Sequence, residues 1–330
     1  MNLATRYLGL NLQNPIIVGA STMTGTLDGV KRCADQRPGA IVLRSLFEEQ
    51  ILDRITEKLD EDDAYFWFPQ AGQLVTELSK EQGSGEYLRL VEKSVAQTNI
   101  PIIASINCIS PGTWTAYASQ IESAGAAALE LNIAIPILDE ETDDAEITAL
   151  YSEIMTSVVK RVRIPVAVKI GPAFSNLART LSTLSATGVH GFVLFNRYFR
   201  PDIDINALAL SSSSYLSGPQ EVTLPIRWIA LLSRNTTVDL AGSTGVHDYT
   251  GVVKLLLAGA GAVQVASALY RHGPAYIRSL VEGLRGWMVE HNFQCIDDFK
   301  GKIARDKQNI PAFERIQFMR RTAGYEPAQG

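Results

Sequence analysis

Four side chains with chemistry to offer close short β-branched runs in this 330-residue chain: Asn107, Asn132, Lys169 and Asn196. Side chains alternate across a strand, so a polar residue between apolar ones marks a face. In the run 166–170, Ala167 and Lys169 share one face, and Val166, Val168 and Ile170 the other. Glu130 and Asn132 share a face in 129–132, Ser105 and Asn107 in 102–107, and Asn196 and Leu194 in 192–196. Gln264 is the odd polar residue in 263–266. A lone asparagine at a strand end is more often a turn former than a ligand. Four polar residues on the inward side of strand C-termini instead describe a site ringed by one cation and three amides, at the end where barrel active sites lie.

A second group is suited to phosphate. The run 238–241 leads into Gly242, Ser243, Thr244 and Gly245, and the run 263–266 ends in Ala266 and Ser267. Glycines let the backbone approach a phosphate closely, and a helix opening near His247 and Asp248 is expected to add free N–H groups and a positive dipole end. The alternative is a plain tight turn. The Gly259-Ala260-Gly261 stretch lies between a helix and a strand, the reverse of a dinucleotide fingerprint, and reads as structural.

The elements that must position these residues alternate. Eight β-branched runs stand at 16–20, 41–45, 102–107, 129–132, 166–170, 192–196, 238–241 and 263–266, with helical patterns best seen at 112–123, 145–162, 177–186 and 248–258. Such alternation implies a parallel sheet with right-handed crossovers. Three helices end in glycine, at Gly125, Gly188 and Gly259, a few residues before the next strand. Glycine takes the left-handed helix-ending conformation cheaply. Strands opening on Pro15, Pro101 and Pro165 repeat a second signature. Near-repeats of one unit predict a (β/α)8 TIM barrel spanning 1–330 as a single domain; an open doubly wound sheet is the alternative.

Composition narrows the function. Hydrophobic residues make up 46% of the chain and the net charge is −5. That supports one large core and disfavours nucleic-acid binding. No apolar run reaches the roughly 20 residues of a membrane span, and no secretory signal stands at the start, so the expectation is a cytoplasmic protein without a membrane role. Cys33, Cys108 and Cys295 lie too far apart in sequence to suggest a metal or iron–sulfur site.

With these residues in place, the chain resembles the dihydroorotate dehydrogenases, in particular their soluble class 1. The resemblance runs from Leu8, Gly9, Leu10, Asn14 and Pro15, through Glu130-Leu131-Asn132, Val168-Lys169, Gly242–Gly245 and Ala266–Leu269, to Asp298-Phe299-Lys300-Gly301-Lys302. It implies an FMN-dependent barrel and assigns roles. Ala20, Ser21, Ser45, Asn107, Asn132, Lys169 and Asn196 match residues along the flavin. Gly218, Gly242, Ser243, Thr244, Gly245, Ala266 and Ser267 match its phosphate side. By the resemblance Lys169 matches the family's flavin-contacting lysine, where a cation would stabilise negative charge on the reduced ring. The implied function is oxidation of a small substrate, held by Asn132, Asn196 and Arg44, with a second substrate as electron acceptor. A homodimer is implied, and a partner subunit carrying iron–sulfur and FAD chemistry is the other arrangement.

Departures from the family pattern are equally specific. Arg44 stands where the family usually has lysine. The position of the family's base, a cysteine or serine, matches Ile135, and an asparagine two residues on matches Ile137. The family's asparagine-rich loop is replaced by the aromatic stretch 64–70. Cys108 is one candidate for a replacement base, with a small buried hydrophobe as its alternative reading; Tyr65 is another. The rival functions are an FMN barrel acting on a different small molecule, a flavin-binding protein that has lost catalysis, and an aldolase using Lys169 as a Schiff-base lysine.

Overall fold

The structure is a computed structural model that describes residues 1–48, 50, 84–112, 115–135, 141–197, 201–212, 216–304 and 319. Its strands are β1 (Thr5–Tyr7), β2 (Leu10–Leu12), β3 (Ile16–Val18), β4 (Ala40–Val42), β5 (Leu46–Phe47), β6 (Ile102–Cys108), β7 (Ala128–Ile133), β8 (Val166–Ile170), β9 (Gly191–Leu194), β10 (Pro201–Asp204), β11 (Ala209–Ser212), β12 (Asp239–Gly242) and β13 (Ala262–Val265). Its α-helices among the described residues are α1 (Leu27–Ala34), α2 (Ser84–Gln97), α3 (Thr115–Ser123), α4 (Asp144–Val159), α5 (Leu177–Ser185), α6 (Thr223–Leu232), α7 (Tyr249–Ala258), α8 (Ser267–His272) and α9 (Tyr276–Glu290).

Eight parallel strands close a barrel in the order β3, β4, β6, β7, β8, β9, β12, β13 and back to β3. A helix follows each. The short β5 extends the β4 stave and pairs with the far end of β6. All eight predicted runs are staves, with ends displaced by at most three residues.

Strand parity sorts the core into two layers. Val166, Val168 and Ile170 belong to the outer layer, packed under the helices. Ile17, Val42, Ile103, Ala128, Ala167, Val193, Ala241 and Ala262 form the inner one. The β1–β2 hairpin adds Tyr7, Leu8 and Leu12 to that inner layer. It plugs the N-terminal end of the barrel, tied by the Leu8 amide donating to Asp239 Oδ2 at 2.6 Å and the Thr5 hydroxyl donating to the Gly261 carbonyl at 3.1 Å.

Helix ends follow their sequence signals. Asp143 caps α4 by accepting from the Ala145 and Glu146 amides, both at 2.8 Å. Gly259 ends α7 at φ +115°, where a methyl group would also meet Ser233 Oγ at 2.4 Å. Between β9 and α6 the chain makes an excursion: the exposed β10–β11 hairpin, then a 3₁₀ turn over Pro219–Val222.

One parity inference needs correction. β9 ends at Leu194, and Leu194 packs in the outer layer. Asn196 lies past the strand, so alternation does not place it; its inward position comes from the loop.

Candidate functional site

A cavity of about 410 Å³ opens at the C-terminal ends of the staves, within the size range of small-molecule sites. Its walls come from the loops after β3, β4, β9, β12 and β13 and from the excursion at Leu216 and Ser217.

The floor is polar where the barrel interior would ordinarily be apolar. Lys169, only 8% exposed, donates from Nζ to Gln264 Oε1 at 2.9 Å. Gln264 Nε2 donates in turn to Glu130 Oε2, and Lys169 Nζ stands 4.0 Å from Glu130 Oε1. Beside them, Ser45 and Ser105 share a hydroxyl hydrogen bond at 2.8 Å. The Tyr87 hydroxyl donates to the Ser105 carbonyl and accepts from its amide. Burial pushes the Tyr87 phenol well above its ordinary value, so it stays protonated. At the rim, Asn196 Nδ2 donates to Asn132 Oδ1 at 2.8 Å.

The far end is a cradle of backbone and hydroxyls. Thr244 and Gly245 take φ of +77° and +76° in succession. For β-branched Thr244 this conformation is an outlier, held by its hydroxyl donating to the Phe195 carbonyl at 3.0 Å. A methyl group on Gly245 would lie 2.1 Å from the Val222 amide nitrogen, so glycine is required there for closeness as well as conformation. The Gly245 amide donates to Ser217 Oγ at 3.2 Å, and the Ser217 amide to Ser267 Oγ at 3.0 Å. His247 Nε2 donates to the Ser217 carbonyl at 2.8 Å. Burial lowers the His247 pKa below 6.5, the Ser217 contact works against it, and Arg271 adds to it, so the imidazole is neutral at pH 7.

Among the described residues three cations line the cavity: Lys169, Arg197 and Arg44. Lys169 is balanced by Glu130, and Arg197 Nε is paired with Glu221 Oε2 at 3.2 Å. The Arg44 guanidinium has no hydrogen-bonded or ion-paired partner among the described residues, and its stem lies along Gly25. Among the described residues it is the cation left available to an anion.

The structure brings together on the cavity wall Ala20, Ser21, Arg44, Ser45, Lys169, Asn196, Ser243, Thr244, Gly245, Ala266 and Ser267. Other expected residues fall elsewhere. Asn132 stands behind Asn196 at the rim, and Asn107 lies beside it in register on β6. Cys108 points into the outer layer, fully buried among apolar side chains, which is the small-hydrophobe reading and removes it from the mouth. Gly242 faces α7, where a methyl group would meet Leu255 at 2.7 Å; its smallness serves helix packing. The Gly218 amide donates to Glu221 Oε1 at 2.7 Å, so Ser217 takes the cradle role beside it. The N-terminus of α7 is occupied by its own cap, Asp248, which accepts from the Gly251 amide at 3.0 Å. The loop 243–246, not that helix, forms the cradle. Ile135 is partly buried against the outer layer. Tyr65, Ile137 and the stretch 64–70 lie outside the described residues.

Sequence reasoning gave no role to Ser217, Gln264, Arg197 or Tyr270. Gln264 carried a signal as a lone polar residue in an apolar strand. Tyr270, whose hydroxyl accepts from the Thr22 amide at 2.9 Å, lies three residues past Ser267. Ser217 and Arg197 had none, because the excursion repeats nothing.

Comparison with known proteins follows the same lines. Residues 75–288 match the profile of the dihydroorotate dehydrogenase family. A putative dihydroorotate dehydrogenase A (fumarate) of Aeropyrum pernix is 30% identical over 243 residues, covering 72% of this chain and 79% of the relative. The catalytic subunit of dihydroorotate dehydrogenase B (NAD(+)) of Thermoplasma volcanium is 24% identical over 314 residues, 91% of this chain and 98% of the relative. That of Methanothermobacter thermautotrophicus is 24% identical over 314 residues, 92% and 99% respectively.

Proposed function

The chain belongs to the dihydroorotate dehydrogenase family, and we propose that it is an FMN-dependent dehydrogenase that oxidises a small CH–CH donor of the dihydroorotate type. The observation that carries this reading is the pairing, in one cavity, of a buried lysine at one end with a cradle that only glycine can form at the other. Three features support FMN as the occupant. The cradle lines the cavity with the Ser217 and Ser267 hydroxyls, donors suited to a phosphate. Ser21 Oγ is buried at the wall without a partner among the described residues. Lys169 meets the cavity from below.

When bound, FMN supplies a two-electron acceptor for hydride. The chain's own residues do the rest. The Ser217 and Ser267 hydroxyls would hold the phosphate, and Gly245 would let it come close. Lys169, anchored by Gln264 on the cavity wall, would supply a fixed positive charge to a bound flavin. Asn196 and Asn132, already paired, orient the polar edge of the substrate. Arg44 takes its anionic group, with the planar fork that suits a carboxylate.

One observation favours a second reading, the same cofactor with a different donor: Ile135 has no atom that accepts a proton, and general-base catalysis is worth about 10²–10⁴-fold. The relatives' names divide between fumarate and NAD(+). We further read the chain as one domain over 1–330, homodimeric and cytoplasmic; among the described residues no helix is long and apolar enough to cross a membrane.

The test is a visible spectrum of freshly purified protein, followed by dihydroorotate without air. Flavin bands that bleach support the proposal. Bands that persist with dihydroorotate but bleach with another donor support the second reading. A colourless protein that takes up no FMN overturns both.

A further inference from the structure

We infer that Glu130, acting through Gln264, is a positioning residue that locks Lys169 and balances its charge, leaving Arg44, among the described residues, as the net positive charge offered to an anionic ligand. The inference rests on the reading of Lys169 as the group facing the FMN ring, and it goes beyond that reading by naming what sets the lysine.

The chain of contacts permits one arrangement. A carboxylate only accepts hydrogen bonds and an ammonium only donates. A glutamine between them must turn its NH₂ to Glu130 and its carbonyl to Lys169, as found at 2.5 and 2.9 Å. Glu130 and Gln264 are 1% and 2% exposed. A lone buried carboxylate costs several kcal/mol, and no apolar wall needs one. Glu130 Oε1 accepts no hydrogen bond among the described residues and stands 4.0 Å from Lys169 Nζ, close enough to balance it. With one N–H committed to Gln264, the four-carbon stem of Lys169 loses its rotamer freedom and the ammonium is fixed at the floor.

The other charged or titratable groups near this network do not displace Glu130. The Tyr7 phenol, below it on β1, is pushed up by burial and then by Glu130 and Asp239, and stays neutral. Arg197 is committed to Glu221 at the rim. Arg44 reaches the cavity from the loop after β4.

The test is trace acetylation of the purified full-length chain with acetic anhydride, the Lys169 peptide quantified by mass spectrometry against exposed Lys93 as internal reference. Glu130→Gln removes the counter-charge and keeps the shape. It should raise Lys169 labelling severalfold, because Gln264 then loses its carboxylate acceptor and no longer holds the lysine stem in place. Gln264→Met removes the anchor at similar volume and should raise it by about threefold. Unchanged Lys169 labelling in folded Glu130→Gln overturns the inference; should that variant fail to fold, Gln264→Met with unchanged labelling does so. Adding FMN before the reagent separates the two readings. Protection of Lys169 in the wild type supports the cofactor site. Absence of protection sinks that site, while the effect of the variants on the unloaded chain still decides the role of Glu130.

Discussion

Arg44 shows how one side chain shapes a site by lacking a partner. Lys169 and Arg197 each face the cavity already balanced by a carboxylate, whereas the Arg44 guanidinium is uncommitted among the described residues. Hydrogen bonds to charged groups contribute about 1.5–3 kcal/mol, so Arg44→Ala should weaken binding of a carboxylate ligand such as orotate by roughly 10- to 100-fold, read by titrating the flavin spectrum. Arg44→Lys should recover part of it, and an unchanged dissociation constant in the alanine variant would remove the assigned role. His247 is a residue of the opposite kind, kept neutral to hold the Ser217 carbonyl. Its folded pKa lies below the ordinary 6.5. Between those two values the unfolded chain binds more protons, so stability falls as pH drops from about 6.5 toward the folded value and falls no further from this group below it. Urea midpoints measured from pH 7.5 to 5 should show that loss in the wild type and a flatter profile in His247→Gln; parallel profiles would dissociate His247 from the effect.

Among the elements, the β1–β2 hairpin is the one that seals the barrel floor, and it does so at a cost. The Tyr7 hydroxyl is buried in the inner layer and has no hydrogen-bond partner among the described residues. An unsatisfied buried polar group costs about 1–3 kcal/mol. Tyr7→Phe keeps the ring and removes that cost, so the urea midpoint should rise by the equivalent of about 1 kcal/mol at unchanged slope; a fall would mean that the hydroxyl has a partner after all. This hairpin was not legible in the sequence. Its strands of three residues are too short for alternation to register, whereas the staves announced themselves through β-branched runs bounded by helix-ending glycines. The site divides in the same way. Lys169 and Glu130 stood out because a charge in a strand otherwise apolar has few explanations. Thr244 and Gly245 stood out because glycine and hydroxyl residues follow a stave directly. Ser217 reaches the cradle from a non-repeating excursion, and Gly242 looked like cradle although its face belongs to α7. Both cases turn on tertiary packing, which no local pattern encodes.

At the scale of the molecule, closure is what couples these parts. β13 pairs with β3, so the last stave completes the wall begun by the first, and the cavity lies across that seam with Ala20 and Ser21 on one side and Ala266 and Ser267 on the other. A ligand spanning the seam is therefore bound by the closed barrel and not by any fragment of it. FMN should accordingly stabilise the whole fold by mass action, by about 2.7 kcal/mol at a hundredfold excess over its dissociation constant. With an unfolding entropy of about 2.1 cal/mol/K per residue, that corresponds to a rise in melting temperature of about 4 °C for a chain of this length. Differential scanning calorimetry of the flavin-free chain, with and without added FMN, should show one transition that moves up as a unit. Riboflavin, which lacks the phosphate, should move it less, because the Ser217, Gly245 and Ser267 cradle then goes unused. Equal shifts for the two would deny the cradle its phosphate, and a transition that FMN leaves in place would deny the cavity its flavin.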